Sequence, residues 1–145
     1  ILGIKRRCSY EGQGAVLLEA AASADDGVYN YTLDGAPLRF DWRDMIRGIV
    51  TDMNRGDDVG AIAARFMNTL IDMAVRQCGA ARSETGLDSV VLSGGTFQNM
   101  YLMRRLPGRL REAGFTVYHH SRVSTNDEGI SLGQLMVAQH QLERK

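Results

Sequence analysis

The last third of the chain repeats one order of elements, and this order limits the folds that the chain can adopt. A short apolar run at residues 89–92 ends in Ser93-Gly94-Gly95, and a helical pattern follows. A second run at residues 115–118 leads to Asn126-Asp127-Glu128-Gly129 and a final helical pattern. Successive strand–loop–helix units favour parallel strands with right-handed crossovers, and ligands of such sheets bind at the carboxyl ends of the strands. We therefore predict an α/β fold with its functional residues in these two loops.

Three further helices are predicted upstream. Helical composition or periodicity covers residues 9–22, 41–53 and 57–78. Ser9 is a candidate N-cap for the first of these helices, and Gly79 follows the last apolar position of the third. We expect the first helix to begin at Ser9 and the third to stop at Gly79.

A hairpin is predicted between the first two of these helices. Residues 28–33 are rich in β-branched and aromatic side chains, Asp34-Gly35 is a turn signal, and residues 38–40 supply a returning strand. The chain has 145 residues, a length typical of one compact domain. We therefore treat residues 1–145 as one unit.

Charge and composition exclude several classes of protein. The 17 basic residues balance 17 acidic residues, so there is no electrostatic reason to expect nucleic acid or an anionic membrane as a partner. The arginines of residues 104–111 are predicted to form a solvated helix face. No apolar run approaches the ~20 residues that span a bilayer.

Cys8 and Cys78 match no metal or redox spacing, which predicts reduced thiols in a cytoplasmic protein. Because the chain starts at Ile1, we expect it to begin inside a longer protein.

The turn at Gly94-Gly95 is the strongest candidate for a binding site. Two glycines after a strand let a ligand approach the backbone closely, and we expect the next helix to offer free N–H groups to an anion or a polar ring. A nucleotide fits this pattern, although the spacing matches neither a P-loop nor a dinucleotide motif. An ordinary tight turn explains the two glycines equally well.

Asp127 has two interpretations, and capping of the last helix is favoured over metal binding. His119 and His120 are adjacent in or after a strand, so their side chains should point to opposite faces rather than share a metal. His140 lies in the final helix, and all three histidines are interpreted as structural or surface residues. No spacing of nucleophile and base identifies a catalytic residue.

Two motifs in this order resemble those of one enzyme family. Residues 91–99, VLSGGTFQN, and residues 126–134, NDEGISLGQ, are similar to the C-terminal lobe of HypF-type carbamoyltransferases of hydrogenase maturation. Leu2-Gly3 and residues 9–13, SYEGQ, resemble the same family where its two lobes join. The resemblance implies half of an actin/Hsp70-like ATPase fold, a mixed sheet with flanking helices. It also implies likeness to threonylcarbamoyl-transferase domains of tRNA modification.

The resemblance implies roles for four residues. Gly94 and Gly95 would line the pocket for ATP or carbamoyl-adenylate, and Asn99 would be the polar residue beside it. Asp127 would complete a divalent metal site, zinc or iron, whose histidine ligands lie in another lobe outside this chain. Two departures from the family pattern are Met67, where a histidine is common, and Glu128, where glycine is common.

The resemblance also implies a reaction. The whole enzyme would make carbamoyl-adenylate from carbamoyl phosphate and ATP and pass the carbamoyl group to the C-terminal cysteine of HypE. HypE and the rest of the HypF chain would be the partners, and the isolated chain would be inactive. Two alternatives stay open: a threonylcarbamoyl- or O-carbamoyltransferase of the same fold, and a non-catalytic nucleotide-binding module.

Overall fold

The computed structural model describes residues 1–35 and 38–143. The helices and strands, in chain order, are α1 (Gln13–Ala21), β1 (Thr32–Asp34), β2 (Arg39–Asp41), α2 (Arg43–Arg55), α3 (Val59–Thr85), β3 (Ser89–Leu92), α4 (Met100–Glu112), β4 (Thr116–His119) and α5 (Ile130–Glu143). Short 3-10 helices at Gly95–Gln98 and Asp127–Gly129 precede α4 and α5. The predicted α/β class is confirmed.

The strands form two separate pairs. β3 and β4 are parallel, with Val90 opposite Val117, so the prediction from the repeated strand–loop–helix order is confirmed. β1 and β2 are antiparallel, with Leu33 opposite Phe40, which confirms the hairpin although β1 starts later than predicted. Residues 36–37, between the two hairpin strands, lie outside the described residues.

The ends of α2 and α3 follow from local chemistry. Gly56 adopts φ 80° and ends α2, and the carboxylate of Asp58 accepts a hydrogen bond from the N–H of Ala61 at 2.9 Å to cap α3. The predicted stop at Gly79 is wrong, because α3 continues to Gly86 at φ 72°. Arg82 in this extension donates to the carbonyl of Ala113 at 2.9 Å, and its guanidinium lies 4.2 Å from the ring centre of Phe115. These contacts offset the cost of about 1 kcal/mol for a glycine within a helix.

The predicted start of α1 at Ser9 is also wrong. Gly12 adopts φ 81° and interrupts any helix before Gln13, where α1 begins. The N–H of Ser9 donates to the side-chain oxygen of Gln13 at 2.7 Å, so Ser9 does not act as the N-cap. Residues 9–12 therefore form a separate turn that is tied to the first residue of α1.

Helix α3 runs through the centre of the molecule and contributes to two clusters of buried side chains. The larger cluster joins α3 to α4, β3 and the start of β4; its members are Ala64, Met67, Ile71, Leu92, Tyr101, Leu102, Leu106, Leu110 and Phe115. The smaller cluster joins α3 to α2; its members are Tyr29, Met45, Ile49 and Ile62. Phe66 borders both clusters, so the two halves of the core are continuous through α3.

Helix α5 differs from the others because its apolar side chains are exposed. It packs mainly on the 3-10 helix that precedes it. The exposed apolar residues of α5 are Ile130, Leu132, Leu135, Met136, Val137 and Leu142. Within the described residues, no helix has both the length and the apolar character needed to cross a membrane.

A network of charges links α2, α3 and the segment before the hairpin. The guanidinium of Arg65 lies 2.8 Å from the carboxylate of Asp52 and 3.1 Å from that of Asp25. The hydroxyl of Tyr29 donates to Asp52 at 2.7 Å. Burial alone would raise the pKa of Asp52, but the hydrogen bonds from Tyr29 and Arg65 and the charges of Arg55 and Arg65 lower it overall. The hydrogen bond from Arg65 is the main cause of the lowered pKa of Asp25.

We predict that Arg65→Met lowers the free energy of unfolding by about 2 kcal/mol, because the buried Asp52 carboxylate loses the hydrogen bond from Arg65 and keeps those from Tyr29 and Arg55. The exposed Arg47–Asp44 pair supplies the control, and Arg47→Met should change the value by less than about 0.5 kcal/mol. Urea denaturation at pH 7 measures both. Equal effects of the two substitutions would contradict the prediction.

The same network sets the response to acid. Because the folded-state pKa values of Asp25 and Asp52 lie below the ordinary carboxyl value of 3.8, the stabilisation from their ionised forms is complete well above that pH. It is lost as the pH falls from about 4 through the lowered folded-state pKa values. Denaturation curves of Arg65→Met should therefore depend less on pH in this range than those of the wild type.

Candidate functional site

The two predicted loops meet at a hydrogen bond between their backbones. The N–H of Gly94 donates to the carbonyl of Thr125 at 2.8 Å. Gly94 adopts φ 102° and ψ 162°, a conformation that is essentially restricted to glycine. This conformation of Gly94 lets the chain leave β3 and contact the segment before Asn126-Asp127. The loops are therefore adjacent, as the parallel arrangement of β3 and β4 predicted.

Gly95 differs from its neighbour in conformation and surroundings. Its φ is not positive, and a Cβ built on it would meet nothing within 4 Å. It starts the 3-10 helix that leads to Asn99, the N-cap of α4. The side-chain oxygen of Asn99 accepts from the N–H of Leu102 at 3.0 Å, and its amide nitrogen lies 3.9 Å from the sulfur of Met67.

The first turn of α4 is occupied by a carboxylate from α1. The N–H groups of Met100 and Tyr101 both donate to one oxygen of Glu19, at 2.7 Å and 3.1 Å. This contact combines two hydrogen bonds with a favourable interaction between a negative charge and the positive end of the helix dipole. The expectation that this helix start offers free N–H groups to an anion is therefore wrong.

A cavity of about 360 Å³, here called the α1–α4 cavity, lies between α1, α3 and the start of α4. Its polar lining residues are Tyr10, Glu11, Glu19, Thr96, Gln98 and Asn99. Apolar side chains that include Phe66, Met67 and Leu102 form other parts of the wall. Such a mixture of apolar wall and few polar groups is typical of small-molecule sites.

The predicted site residues divide between this cavity and the loop beside it. Gly95 and Asn99 line the α1–α4 cavity. Gly94 shapes the turn through its contact with Thr125, and Asp127 lies two residues beyond that contact. Met67, one of the departures from the family pattern, is 2% exposed, lines the cavity and packs in the larger core cluster.

Asp127 is exposed and is not the cap of its helix. Asn126 has that role, because its side-chain oxygen accepts from the N–H of Glu128 at 3.1 Å. The favoured interpretation of Asp127 as an N-cap is therefore wrong. Among residues 1–35 and 38–143, no group of three or more histidine, cysteine, aspartate or glutamate side chains could hold a metal. Asp127 can contribute one carboxylate to a site whose other ligands come from elsewhere.

The ends of β3 and β4 bring a serine and a histidine together. The hydroxyl oxygen of Ser93 lies 3.1 Å from Nε2 of His120. The Nδ1 atom of His119 lies 3.1 Å from the carbonyl oxygen of His120, so the two imidazole rings have different partners. His120 is half-buried, whereas Ser93 and His119 are exposed.

Sequence reasoning missed two of these contacts. The pairing of Ser93 with His120 follows from the register, because Leu92 is opposite His119 and the next residue of each strand continues that register. Both apolar runs are visible in the sequence, but the Ser93–His120 pairing could be found only by aligning the two runs in the correct register. No spacing signal connects Glu19 with Met100, because 81 residues separate them.

Comparisons with known proteins agree with one another. A family model described as "Carbamoyltransferase, Kae1-like Domain, second subdomain" matches residues 1–134. Carbamoyltransferase HypF of Synechocystis sp. is 31% identical over 140 residues, which cover 94% of this chain and 18% of that protein. A tRNA N6-adenosine threonylcarbamoyltransferase of Aromatoleum aromaticum is 31% identical over 75 residues, which cover 52% of this chain and 22% of that protein.

A solved structure has the same fold over nearly the whole chain. The crystal structure of full-length HypF in the phosphate- and nucleotide-bound form matches with a TM-score of 0.90 and 38% identity. The match covers 98% of this chain and 19% of the HypF chain. The chain thus spans about a fifth of the length of these relatives, and the predicted likeness to the C-terminal lobe of HypF-type carbamoyltransferases is confirmed.

Gly94 and Gly95 provide a matched pair of substitutions. We predict that Gly94→Ala lowers the free energy of unfolding by about 1–3 kcal/mol, because alanine cannot adopt φ 102° and ψ 162° without strain. Gly95→Ala should change it by less than about 0.5 kcal/mol, since its φ is not positive and the space around it is open. Chemical denaturation measures both values. A neutral Gly94→Ala would contradict the strained geometry of the turn.

Proposed function

Because the chain belongs to the HypF-type carbamoyltransferases, as the second subdomain of their Kae1-like domain, we propose that it forms the nucleotide-binding lobe of a carbamoyl-transferring enzyme. The observation that carries this proposal is the α1–α4 cavity, which brings the 9–13 segment and the Gly95–Asn99 segment to one wall. The two segments are distant in sequence, and both belong to stretches that resemble the family, residues 9–13 and residues 91–99.

The charges of the cavity favour a nucleoside over a phosphate. Glu11 and Glu19 place carboxylates in its lining, and Glu19 already fills the helix start where a phosphate would bind. Carboxylates and the Asn99 side chain accept hydrogen bonds from ribose or base, and Phe66 offers apolar surface to a purine. We therefore place the adenosine part of ATP or carbamoyl-adenylate in the α1–α4 cavity and its phosphate outside, toward the loop of Asp127.

Asp127 would hold a divalent metal, zinc or iron, together with ligands from outside this chain. Its exposed carboxylate in the loop that contacts Gly94 fits a role as one ligand of a shared site. When bound, such a metal supplies Lewis-acid stabilisation or anchors a phosphate. Glu128 adds a second exposed carboxylate next to it, and its φ is not positive, so the glycine common in the family is not required for this turn.

Exposed apolar surface supports a contact with the rest of a HypF chain. A helix with apolar residues around its whole circumference is normally buried, yet Leu135 and Leu142 in α5 are 65% and 73% exposed. Val91 and Tyr118 lie opposite each other on the β3–β4 pair and are also exposed. Since the relatives are about five times longer, we propose that their additional domains cover these surfaces. The isolated chain would then lack activity.

The acceptor of the carbamoyl group is proposed to be the C-terminal cysteine of HypE. The HypF relatives match 92–98% of the chain, whereas the threonylcarbamoyltransferase of Aromatoleum aromaticum matches 52%. This difference in coverage favours the HypF reaction over the tRNA reaction. A non-catalytic nucleotide-binding module would bind adenylate but transfer nothing, which an assay of the full-length protein distinguishes.

We predict that Gly95→Val in the full-length protein weakens nucleotide binding and carbamoyl transfer by more than about tenfold, a change of 1.4 kcal/mol or more. The isopropyl group would project into space that the proposed adenosine occupies, while the backbone at this position accepts a side chain. Calorimetric nucleotide binding and mass spectrometry of the acceptor protein measure the two effects.

Gly108→Val is the control, because Gly108 lies on α4 outside the α1–α4 cavity with nothing within 4 Å of its built Cβ. Both variants should keep the wild-type melting temperature within a few degrees. Unchanged nucleotide binding by Gly95→Val would refute the placement of the nucleotide. Complete absence of carbamoyl transfer by the wild-type protein would refute the proposed reaction.

We predict that Asp127→Asn in the full-length protein loses most of its bound metal and its carbamoyl transfer. The amide oxygen carries only a partial charge and holds a divalent ion less well than a carboxylate does. Its melting temperature in the presence of chelator should match the wild type, since Asn126 rather than Asp127 caps the helix. Glu128→Gln is the matched control and should keep its metal. Wild-type metal content in Asp127→Asn would show that Asp127 is not a ligand.

A further inference from the structure

Ser93 and His120 form a side-chain pair with no assigned role in the proposed carbamoyl transfer. Ser93 directly follows β3 and precedes Gly94, and His120 directly follows β4. Their side-chain atoms are 3.1 Å apart, within the range of 2.6–3.2 Å for direct proton transfer. The hydrogen bond from Gly94 to Thr125 fixes the loops on which the pair lies.

We propose that Ser93 and His120 are the proton acceptor for the incoming thiol of the carbamoyl-acceptor protein, an inference that rests on the proposed function. Of the carboxylates near the proposed nucleotide, Glu19 is engaged by two N–H groups and Asp127 is proposed to bind metal, whereas the side chains of Ser93 and His120 contact each other. Imidazole is the side chain suited to accept a proton near neutral pH. Serine is exposed enough to meet a substrate, and His120 is partly shielded beside it.

The step balances as a proton relay. When Ser93 donates its hydroxyl proton to Nε2 of His120, its oxygen accepts the proton of the acceptor thiol. The sulfur forms a bond to the carbamoyl carbon, the bond from that carbon to the adenylate oxygen breaks, and AMP leaves. The product is a thiocarbamate on the acceptor, and the imidazolium returns its proton to solvent.

The charged side chains near the pair are exposed. The charged or titratable groups on the same loops are His119, Arg122, Asp127 and Glu128, and all four are exposed. The β3 strand contributes no charged side chain, because its residues are serine, two valines and leucine. The described residues of these segments therefore place no buried charged side chain next to the pair.

The test compares three variants of the full-length protein in single-turnover carbamoyl transfer to the acceptor cysteine, between pH 6 and pH 9.5. His120→Gln keeps a hydrogen-bonding group for Ser93 but removes the base, and Ser93→Ala removes the relay oxygen. His119→Gln is the matched control, since it changes an adjacent exposed histidine whose ring does not contact Ser93. Nucleotide binding is measured in parallel to confirm that each variant is folded.

At pH 7 we expect His120→Gln and Ser93→Ala to slow transfer by about 100-fold or more, the usual contribution of general base catalysis. The deficit should shrink to less than about tenfold at pH 9.5, because a free thiol with a pKa near 8.5 is then mostly ionised. His119→Gln should follow the wild-type profile.

Other results separate the alternatives. A loss of transfer in His120→Gln that is equal at all pH values would assign the pair a structural role and overturn the proposal. Wild-type rates in both variants would overturn it as well. If the wild-type protein binds nucleotide but transfers no carbamoyl group to the thiol, the proposed function fails, and the relay fails with it.

Discussion

Close packing around α3 is the constraint on which the rest of the structure depends. The helix has 27 residues, and small residues at its start let other segments approach its backbone. A Cβ at Gly60 would lie 2.6 Å from the carbonyl oxygen of Ala21, and Ala63 and Ala64 are fully buried. This contact holds α1 against α3, while the larger core cluster holds α4 against the same helix. The α1–α4 cavity exists because both helices are anchored to one rigid element.

Electrostatics then divide the site into two regions. The carboxylate of Glu19 connects α1 to the start of α4 and makes the cavity unfavourable for phosphate. The loop that follows β4 carries Asp127 and faces the turn at Gly94. A nucleotide that spans both regions would place its neutral adenosine in one and its charged phosphate in the other. This division explains how a Gly-Gly turn can serve a nucleotide site without the free helix N-terminus of a P-loop.

A site formed by two lobes would explain two features of the described residues. These features are the exposed apolar side chains and the presence of one candidate metal ligand, Asp127. Burial of α5 would remove several large apolar side chains from water, each of which contributes roughly 1.5–3 kcal/mol when fully buried. If two lobes held the metal between them, binding of the nucleotide would also depend on closure of the two lobes. In the proposed function, catalysis would depend on the assembled state of the enzyme, to which this chain would contribute the α1–α4 cavity and one side of the reaction site.

The sequence by itself determined the elements and the order of the motifs. Short apolar runs located β3 and β4, and a period-3.6 pattern located α2, because both kinds of pattern report where an element is buried. The repeated strand–loop–helix order predicted that Gly94 and Asp127 lie at one edge, and the Gly94–Thr125 bond agrees with this. Local signals failed where a distant contact decided the outcome, as when Arg82 extended α3 beyond Gly79.

Only the tertiary structure decided which polar groups remain available to a ligand. Glu19 fills the start of α4 across 81 residues of sequence, Asn126 takes the capping role expected of Asp127, and the register of β3 and β4 pairs Ser93 with His120. Each of these outcomes depends on distances between side chains that are remote in sequence or in competition for one partner. Periodicity and composition contain no information about such distances, because they describe each element separately and not its neighbours in space.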